Sequence, residues 1–447
     1  MYIMMLSSRR RLQGRMLLLL VAMVAVSFGA WLPWEYPSSS MLYKFGIDRD
    51  ILTLGKSAGV AAIVLMGLQI LFIARFTMIE RLVGYDRMVR IHRMVGISIV
   101  ALAVMHPLLV FSVDDVATIP VKWEYWPEIL GGGLLISLSI YAAIAYGRSF
   151  SRIPYHYWKW MHQAGAIVLV VTSLVHVYYV TDSYHSGVPL VFLVCVGIVV
   201  VVCWGWILFR PFMDGEKHEV VSLTRVGPAA RELRLRPLGN PIRHAPGQFA
   251  YINVTDGPIP SEPHPFTISS SPGSDTLRFV IRCCGDWTNR VGQLRTGDTV
   301  QVSGPYGMFS PEAYGCEAGY VCIAGGVGIT PMLSMIENMD ELSPPLHLVW
   351  SNRTVEDAFA REELKEHALR LHQLDVTHVF SRDATSADNE YTGRVNHDLL
   401  DRVLTEVPLS DSLFFVCGPQ PFMESVQRTL SEMGVPPSQI VMEEFGF

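Results

Sequence analysis

The sequence predicts a multi-domain chain: an α-helical six-span membrane bundle, then an antiparallel β-barrel, then an α/β domain on a parallel sheet. Three observations predict it. Six apolar runs, at 16–32, 53–74, 91–111, 129–146, 161–180 and 188–209, are each long enough, or nearly so, to cross a bilayer. After Pro211 the texture changes to short strands broken by Gly and Pro. From residue 319 strands alternate with helical stretches, beginning at a Gly-rich turn. The expected domains are 1–212, 213–314 and 315–447, a division that 447 residues readily support.

The first span follows a basic start, Arg9, Arg10, Arg11 and Arg15. That start resembles a signal peptide, but no small-x-small cleavage site precedes Trp31, so an uncleaved span is expected. Basic residues set the orientation. Arg75, Arg81, Arg87, Arg90 and Arg93 flank spans two and three on the same side as the N-terminus, and Arg148, Arg152 and Lys159 join spans four and five there. The opposite side carries Glu35, Asp48, Asp50, Asp114, Asp115, Glu124, Glu128 and Asp182. Both termini are therefore expected to be cytoplasmic, in a multi-pass protein of the cell (plasma or inner) membrane. A net charge of −6 argues against a nucleic-acid partner. The seven cysteines include no C-x-x-C, which leaves no zinc or iron–sulfur spacing.

Spans three and five each carry two histidines at the same interval: His92 and His106, His162 and His176. Fourteen residues of helix rise about 21 Å and return to within about 40° of one face. A lone histidine in an apolar helix is more often a packing residue. Two pairs at one interval on separate spans are hard to explain so, and intramembrane histidines default to function. Side by side, the two helices offer two stacked His–His sites, the arrangement needed to ligate two haems across a bilayer about 30 Å thick. Basic flanks place His92 and His162 near the inner face, His106 and His176 near the outer. Gly96 and Gly165 share the histidine faces; they admit either a porphyrin or a neighbouring helix.

The barrel strands are expected at HEVVSLTRV, RELRLRP, GQFAYINV, DTLRFVIRCC and GDTVQVSGPYG. Within them lies His264-Pro265-Phe266-Thr267, and downstream Gly285-Asp286-Trp287-Thr288 precedes an amphipathic run. A hydroxyl and free N–H groups at a helix start suit a flavin diphosphate, with Arg282 adding charge; Thr288 is equally readable as an ordinary cap. In the last domain, Gly325-Gly326-Val327-Gly328-Ile329-Thr330-Pro331 follows a strand and opens a helix, so the backbone can approach a pyrophosphate. Strands LHLVWSNR, VTHVFSRD and SLFFVCGPQPFM follow, the last ending in Cys417-Gly418-Pro419. Ligands bind at such strand ends.

With the paired histidines and these motifs together, almost the whole chain resembles the ferric-reductase/NADPH-oxidase superfamily, especially its short bacterial members. The resemblance implies two b-type haems in the membrane domain, His92 with His162 holding the inner and His106 with His176 the outer. It implies a ferredoxin-NADP reductase-like module binding FAD through His264, Pro265, Phe266, Thr267, Arg282 and Thr288. It implies NADPH contacts at Gly325, Gly326, Gly328, Thr330, Pro331, Gly418, Pro419 and Arg394 of GRVN, with Cys417 near the nicotinamide. Such chains end in an aromatic stacked on the flavin; the pattern selects Phe445, with Phe447 the runner-up. Arg382 in VFSRD resembles a 2′-phosphate site, with Arg353 in WSNR nearby, so NADPH is favoured over NADH. The chain departs from the superoxide-producing eukaryotic oxidases at Val110, where they have a second histidine. It also lacks an aromatic across 163–175. Lys56 is the one buried-looking cation suited to attend an oxygen species, and no dedicated oxygen-reducing pocket is visible.

The expected function is transmembrane electron transfer from cytoplasmic NADPH through FAD and two haems to an outer-face acceptor, ferric chelate or dioxygen, the latter giving superoxide. The rivals are an electron donor to an outer-face protein or quinone, and a haem-binding sensor or transport subunit.

Overall fold

The computed structural model describes residues 8–74, 76–113, 122–147, 155–213, 215–257, 259–315, 318–385 and 387–443. The chain divides into two compact units, Arg10–Arg210 and Pro211–Phe447. The first is helical: α1 (Ser8–Glu35), α2 (Ser39–Leu42), α3 (Gly46–Ile73), α4 (Thr77–Val83), α5 (Tyr85–Val113), α6 (Trp126–Tyr146), α7 (Tyr155–Val180) and α8 (Gly187–Met213). Six of them, α1, α3, α5, α6, α7 and α8, are long and apolar enough to cross a membrane. α3 starts at Gly46, ahead of the apolar run, because Asp48 in its first turn complements the helix N-terminus. Half of the most apolar stretch of α3 is buried within the protein, against 6–22% for the other five. So α3 lies at the centre. The others turn side chains such as Leu20, Ile97, Ile136 and Val201 outward, where a bilayer would cover them. α3 packs along α5, and α6 along α7.

The second unit holds two six-stranded sheets. The first is antiparallel: β1 (Glu216–Gly227), β2 (Ala230–Pro237), β3 (Phe249–Asp256), β4 (His264–Thr267), β5 (Leu277–Arg282) and β6 (Thr299–Tyr306), in the order β4-β3-β6-β1-β2-β5. Its two end strands approach each other: just past β4, the Ser269 N–H donates to the Arg278 carbonyl of β5 at 2.7 Å. Alternation builds the core. Val220, Leu233, Leu235, Ile252, Phe279, Ile281, Val300 and Val302 point inward together. A short helix, α9 (Asp286–Arg290), follows β5, and α10 (Pro311–Tyr314) follows β6. β5 is buried on both faces, since Arg278 and Val280 turn away from this core yet remain covered.

The second sheet is parallel: β7 (Tyr320–Gly325), β8 (Leu346–Asn352), β9 (Leu374–Phe380), β10 (Glu390–Thr392), β11 (Leu413–Cys417) and β12 (Ile440–Glu443), in the order β10-β9-β8-β7-β11-β12. Its strands are nearly continuous in apolar residues because both faces are covered. Helices α11 (Thr330–Glu337) and α12 (Arg361–Arg370) share a core with Cys322, Ala324, Leu348, Trp350 and Phe415. Helices α13 (His397–Val403) and α14 (Gln420–Glu432) cover Val321, Ile323, Val349, Phe414 and Val416 on the other face. The chain leaves β7 toward β8 on one side and returns as β11 on the other. The switch point therefore lies between the ends of β7 and β11, where such sheets bind ligands.

Candidate functional site

The interval between the histidines on α5 and α7 brings them together in two pairs. The rings of His92 and His162 lie 6.1 Å apart between centroids, with planes at 77°. Those of His106 and His176 lie 6.5 Å apart at 78°. With metal–nitrogen bonds of about 2 Å, imidazoles on opposite sides of one metal have centroids about 6 Å apart. Both pairs therefore fit a bis-histidine haem, and they fit it equally.

Backing helices hold these rings. The Nδ1–H of His106 donates to the Gly55 carbonyl of α3 at 2.8 Å. The Nδ1–H of His176 donates to the Pro127 carbonyl of α6 at 2.8 Å. Each bond fixes the tautomer and leaves Nε2 for a metal. Close approach demands glycine: a Cβ on Gly59 would lie 3.0 Å from His106 Nδ1, and one on Gly131 would lie 2.6 Å from His176 Cε1. The sequence reading missed Gly55, Gly59, Gly131 and Pro127; the G-x-x-x-G of α3 and the triple glycine after Pro127 were the available signals. At the other pair, Gln69 of α3 donates to the His92 carbonyl at 2.8 Å. His162 lies between Trp158 and Tyr141, with centroids 5.0 and 4.9 Å away and both planes within 11°. Tyr141 also donates to the His162 carbonyl at 2.8 Å. Gln69 packs at Gly96 and Tyr141 at Gly165, so helix packing occupies both positions. Lys56 donates to Ser38 Oγ.

In the antiparallel sheet, His264, Pro265, Phe266 and Thr267 form β4, an edge strand paired with β3, which suits a proline. The His264 ring packs against that of buried Trp287, with centroids 4.4 Å apart and planes tilted by 33°, and Trp287 donates to the Pro260 carbonyl at 3.0 Å. The Thr288 hydroxyl accepts from the N–H groups of Cys284 and Gly285, at 3.1 and 2.9 Å. It thus closes the start of α9, the capping alternative. Arg282 ends β5, exposed. Beside β4, the rings of Tyr251 and Tyr306 lie 5.6 Å apart, an aromatic pair the sequence reading did not single out. Phe445 and Phe447 lie outside the described residues. The chain is last described at Glu443, whose carboxylate would lie 2.8 Å from a Cβ on Gly307, just past β6.

At the switch point the glycines have distinct reasons. A Cβ on Gly328 would lie 2.4 Å from the Cys417 carbonyl, and one on Gly418 would lie 3.1 Å from Gly325 Cα. These glycines let the ends of β7 and β11 touch. Gly326 instead adopts φ 56° with nothing within 4 Å of its Cβ position, an open cradle ahead of α11. Thr330 is buried and donates to the Val327 carbonyl at 3.0 Å. Pro331 stands in the first turn of α11, where its missing N–H costs nothing. Pro419 caps α14. The Cys417 side chain is fully buried in the core beneath the sheet. Arg353, Arg382 and Arg394 are all exposed just past β8, β9 and β10. Adjacent strand ends bring them to one edge: the Arg382 N–H donates to the Arg353 carbonyl at 2.9 Å, and the Gly393 N–H to the Phe380 carbonyl at 2.8 Å.

Three family models match the chain in order. A ferric reductase like transmembrane component covers 58–173, an FAD-binding domain 231–310, and an oxidoreductase NAD-binding domain 322–428. The first includes His92, His106 and His162 and ends just before His176. The flavohemoprotein of Oceanobacillus iheyensis is 27% identical over 257 residues, 54% of this chain and 60% of that protein. The propane 2-monooxygenase reductase component of Mycolicibacterium smegmatis is 29% identical over 224 residues, 48% of this chain and 62% of that protein. The flavohem-like FAD/NAD-binding domain of nitric oxide dioxygenase from Vibrio cholerae has a TM-score of 0.46 at 22% identity, over 52% of this chain and 100% of that one. The chain thus spans less than two thirds of the length of these curated relatives. A ferric reductase like transmembrane component ahead of FAD- and NAD-binding domains on one chain matches a ferric-reductase/NADPH-oxidase-like fusion, and the six long apolar helices fit a multi-pass membrane protein.

Proposed function

We propose that the protein carries electrons from cytoplasmic NADPH through FAD and two b-type haems to an acceptor on the outer face, ferric chelate or dioxygen. The observation that carries this reading is the geometry of the histidine pairs, nearly equal in spacing and ring angle at two levels of the same two helices. Two sites of like ring geometry, one above the other, suit a relay better than a single sensing site.

When bound, the flavin takes a hydride from the nicotinamide and the haems pass its electrons singly. The chain's own residues position these groups. His92 with His162, and His106 with His176, would hold the two haems. β4 and the Tyr251–Tyr306 pair offer the flavin surface, with Arg282 toward its diphosphate. Thr288 acts there through the backbone it caps. Gly326 admits the nicotinamide nucleotide's pyrophosphate at the start of α11. Gly325, Gly328 and Gly418 hold the two strand ends together beneath it. Cys417 lies at this junction through its backbone. Arg353, Arg382 and Arg394 supply the planar donors that a 2′-phosphate needs. By the family resemblance Phe445, with Phe447 the runner-up, would cover the flavin until nicotinamide arrives; both lie outside the described residues. The positive loops orient the termini to the cytoplasm.

The test is anaerobic reduction of purified protein by NADPH. Two haems and one FAD per chain should reduce, and dioxygen or ferric citrate, added in turn, should reoxidise them. FAD reduction without haem reduction would defeat the relay.

A further inference from the structure

Arg353 and Arg382 leave the sheet on separate connections, so two exposed turns must be held at one spacing if both are to reach one phosphate. Backbone pairing carries them part of the way. The Ser381 N–H donates to the Asn352 carbonyl at 3.0 Å, and the Arg382 N–H to the Arg353 carbonyl at 2.9 Å. One residue on, a side chain takes over: the Asp383 carboxylate accepts from the Val355 N–H at 2.7 Å. Val355 opens the short helical turn Val355–Asp357, which Thr354 and Asp357 close on each other at 3.1 and 3.3 Å. Asp383 therefore ties the connection that carries Arg382 to the one that carries Arg353.

The far end of the Arg382 connection is held as well. The Thr385 hydroxyl donates to Glu390 at the start of β10, and Arg361 of α12 pairs with the same carboxylate. The Thr392 hydroxyl accepts from the Thr385 N–H at 3.2 Å and donates to the Asp383 carbonyl at 3.4 Å. Asp383 thus stands in a braced turn, where its carboxylate reaches across to the neighbouring connection. Charge gives it no reason to be there, since a carboxylate next to Arg382 opposes a phosphate. The Val355 N–H does.

Resting on the NADPH reading above, we infer that Asp383 is a positioning residue for coenzyme choice: its bond to the Val355 N–H sets Arg353 and Arg382 at the spacing a 2′-phosphate bridges. NADH has a hydroxyl in place of that phosphate, so its binding does not depend on the spacing.

Anaerobic stopped-flow reduction of the flavin in the purified holoprotein tests this, with NADPH and NADH as the probes, and reads an apparent Kd and a limiting rate for each. Asp383→Ala removes the acceptor. Asp383→Asn keeps an oxygen that can accept from Val355 and removes only the charge. Val355→Pro removes the donor and leaves Asp383 in place; Thr354, at φ −129° and ψ 163°, already has the extended backbone a following proline requires. Asp383→Ala and Val355→Pro should each weaken NADPH relative to NADH by about tenfold, in Kd and not in limiting rate, while Asp383→Asn stays within about twofold of wild type or binds NADPH more tightly. With Arg353 and Arg382 both replaced by Ala, Asp383→Ala should cost nothing further. A wild-type preference for NADH would overturn the NADPH reading itself. With that preference in place, four results would overturn the inference alone: no change in either bond-breaking variant, equal losses for both coenzymes, tighter NADPH binding in Asp383→Ala as in Asp383→Asn, or a full further loss without the arginines. If Asp383→Ala fails to accumulate, Val355→Pro against Asp383→Asn decides it.

Discussion

In the proposed reading, Arg382 is the residue on which coenzyme choice should turn. A 2′-phosphate calls for cations with planar, bidentate donors, and three arginines stand exposed at adjacent strand ends. No acidic residue directly ends the WSNR strand to claim a ribose hydroxyl. A charge-assisted contact is worth about 1.5–3 kcal/mol, roughly ten- to a hundredfold in affinity. Arg382→Ala should raise the KM for NADPH by that factor and leave NADH nearly unchanged. Equal losses for both coenzymes would make Arg382 structural, and a wild-type preference for NADH would remove the assignment. At this scale the sequence was readable where spacing alone carries meaning. Histidines fourteen apart on two spans must line one face each, whatever surrounds them. It was silent where meaning comes from a partner distant in sequence. Nothing near Gly131 foretells a histidine 45 positions on, and nothing near Gly165 foretells Tyr141. Thr288 shows the same limit: its hydroxyl suits a phosphate or a cap, and only the fold shows the N–H groups that occupy it.

Among the elements, β5 joins the two sheets of the second unit, and a single side chain does much of the joining. Arg278 donates to Glu232 of β2 at 2.7 Å and to both oxygens of Glu363 on α12 at 2.6 and 2.8 Å. Burial opposes its charge, yet the bonds and charges of Glu363 and Glu232 hold its pKa above the ordinary arginine value. Removing one partner from a buried pair costs about 3–5 kcal/mol, because a charge is left unpaired. Arg278→Ala should therefore lower the denaturant midpoint for flavin release far more than Arg236→Ala. Arg236 pairs with Glu219 at the surface, where about 0–1 kcal/mol is at stake. Similar midpoints for the two variants would show that Arg278 does not carry the junction. Elements were legible in proportion to length. The six spans declare themselves through long apolar runs, and five barrel and four parallel-sheet strands through their apolar patterns. The three residues of β10 and the four each of β4 and β12 are too short to display a period of two. Their pairing comes from longer neighbours.

For the whole molecule, the division into two compact units makes its own prediction. The unit from Pro211 onward has separate cores around each of its sheets. Its fold therefore does not depend on the histidines of the membrane bundle. The bundle in turn holds each histidine-bearing helix against a partner, α5 against α3 and α7 against α6. Truncating one imidazole should remove a proposed ligand without removing a packing layer. His106→Ala or His176→Ala in the full chain should abolish the outer haem's low-spin bis-histidine signal and halt acceptor reduction. NADPH should still bleach the flavin at close to the wild-type rate. That split is what a relay requires, since electrons enter normally and find no exit. A sensor would behave otherwise, because its acceptor chemistry would never have depended on the outer pair. Retention of both haems and full turnover in either variant would refute the ligand assignment. Loss of flavin reduction together with acceptor reduction would instead show that the two units do not fold independently.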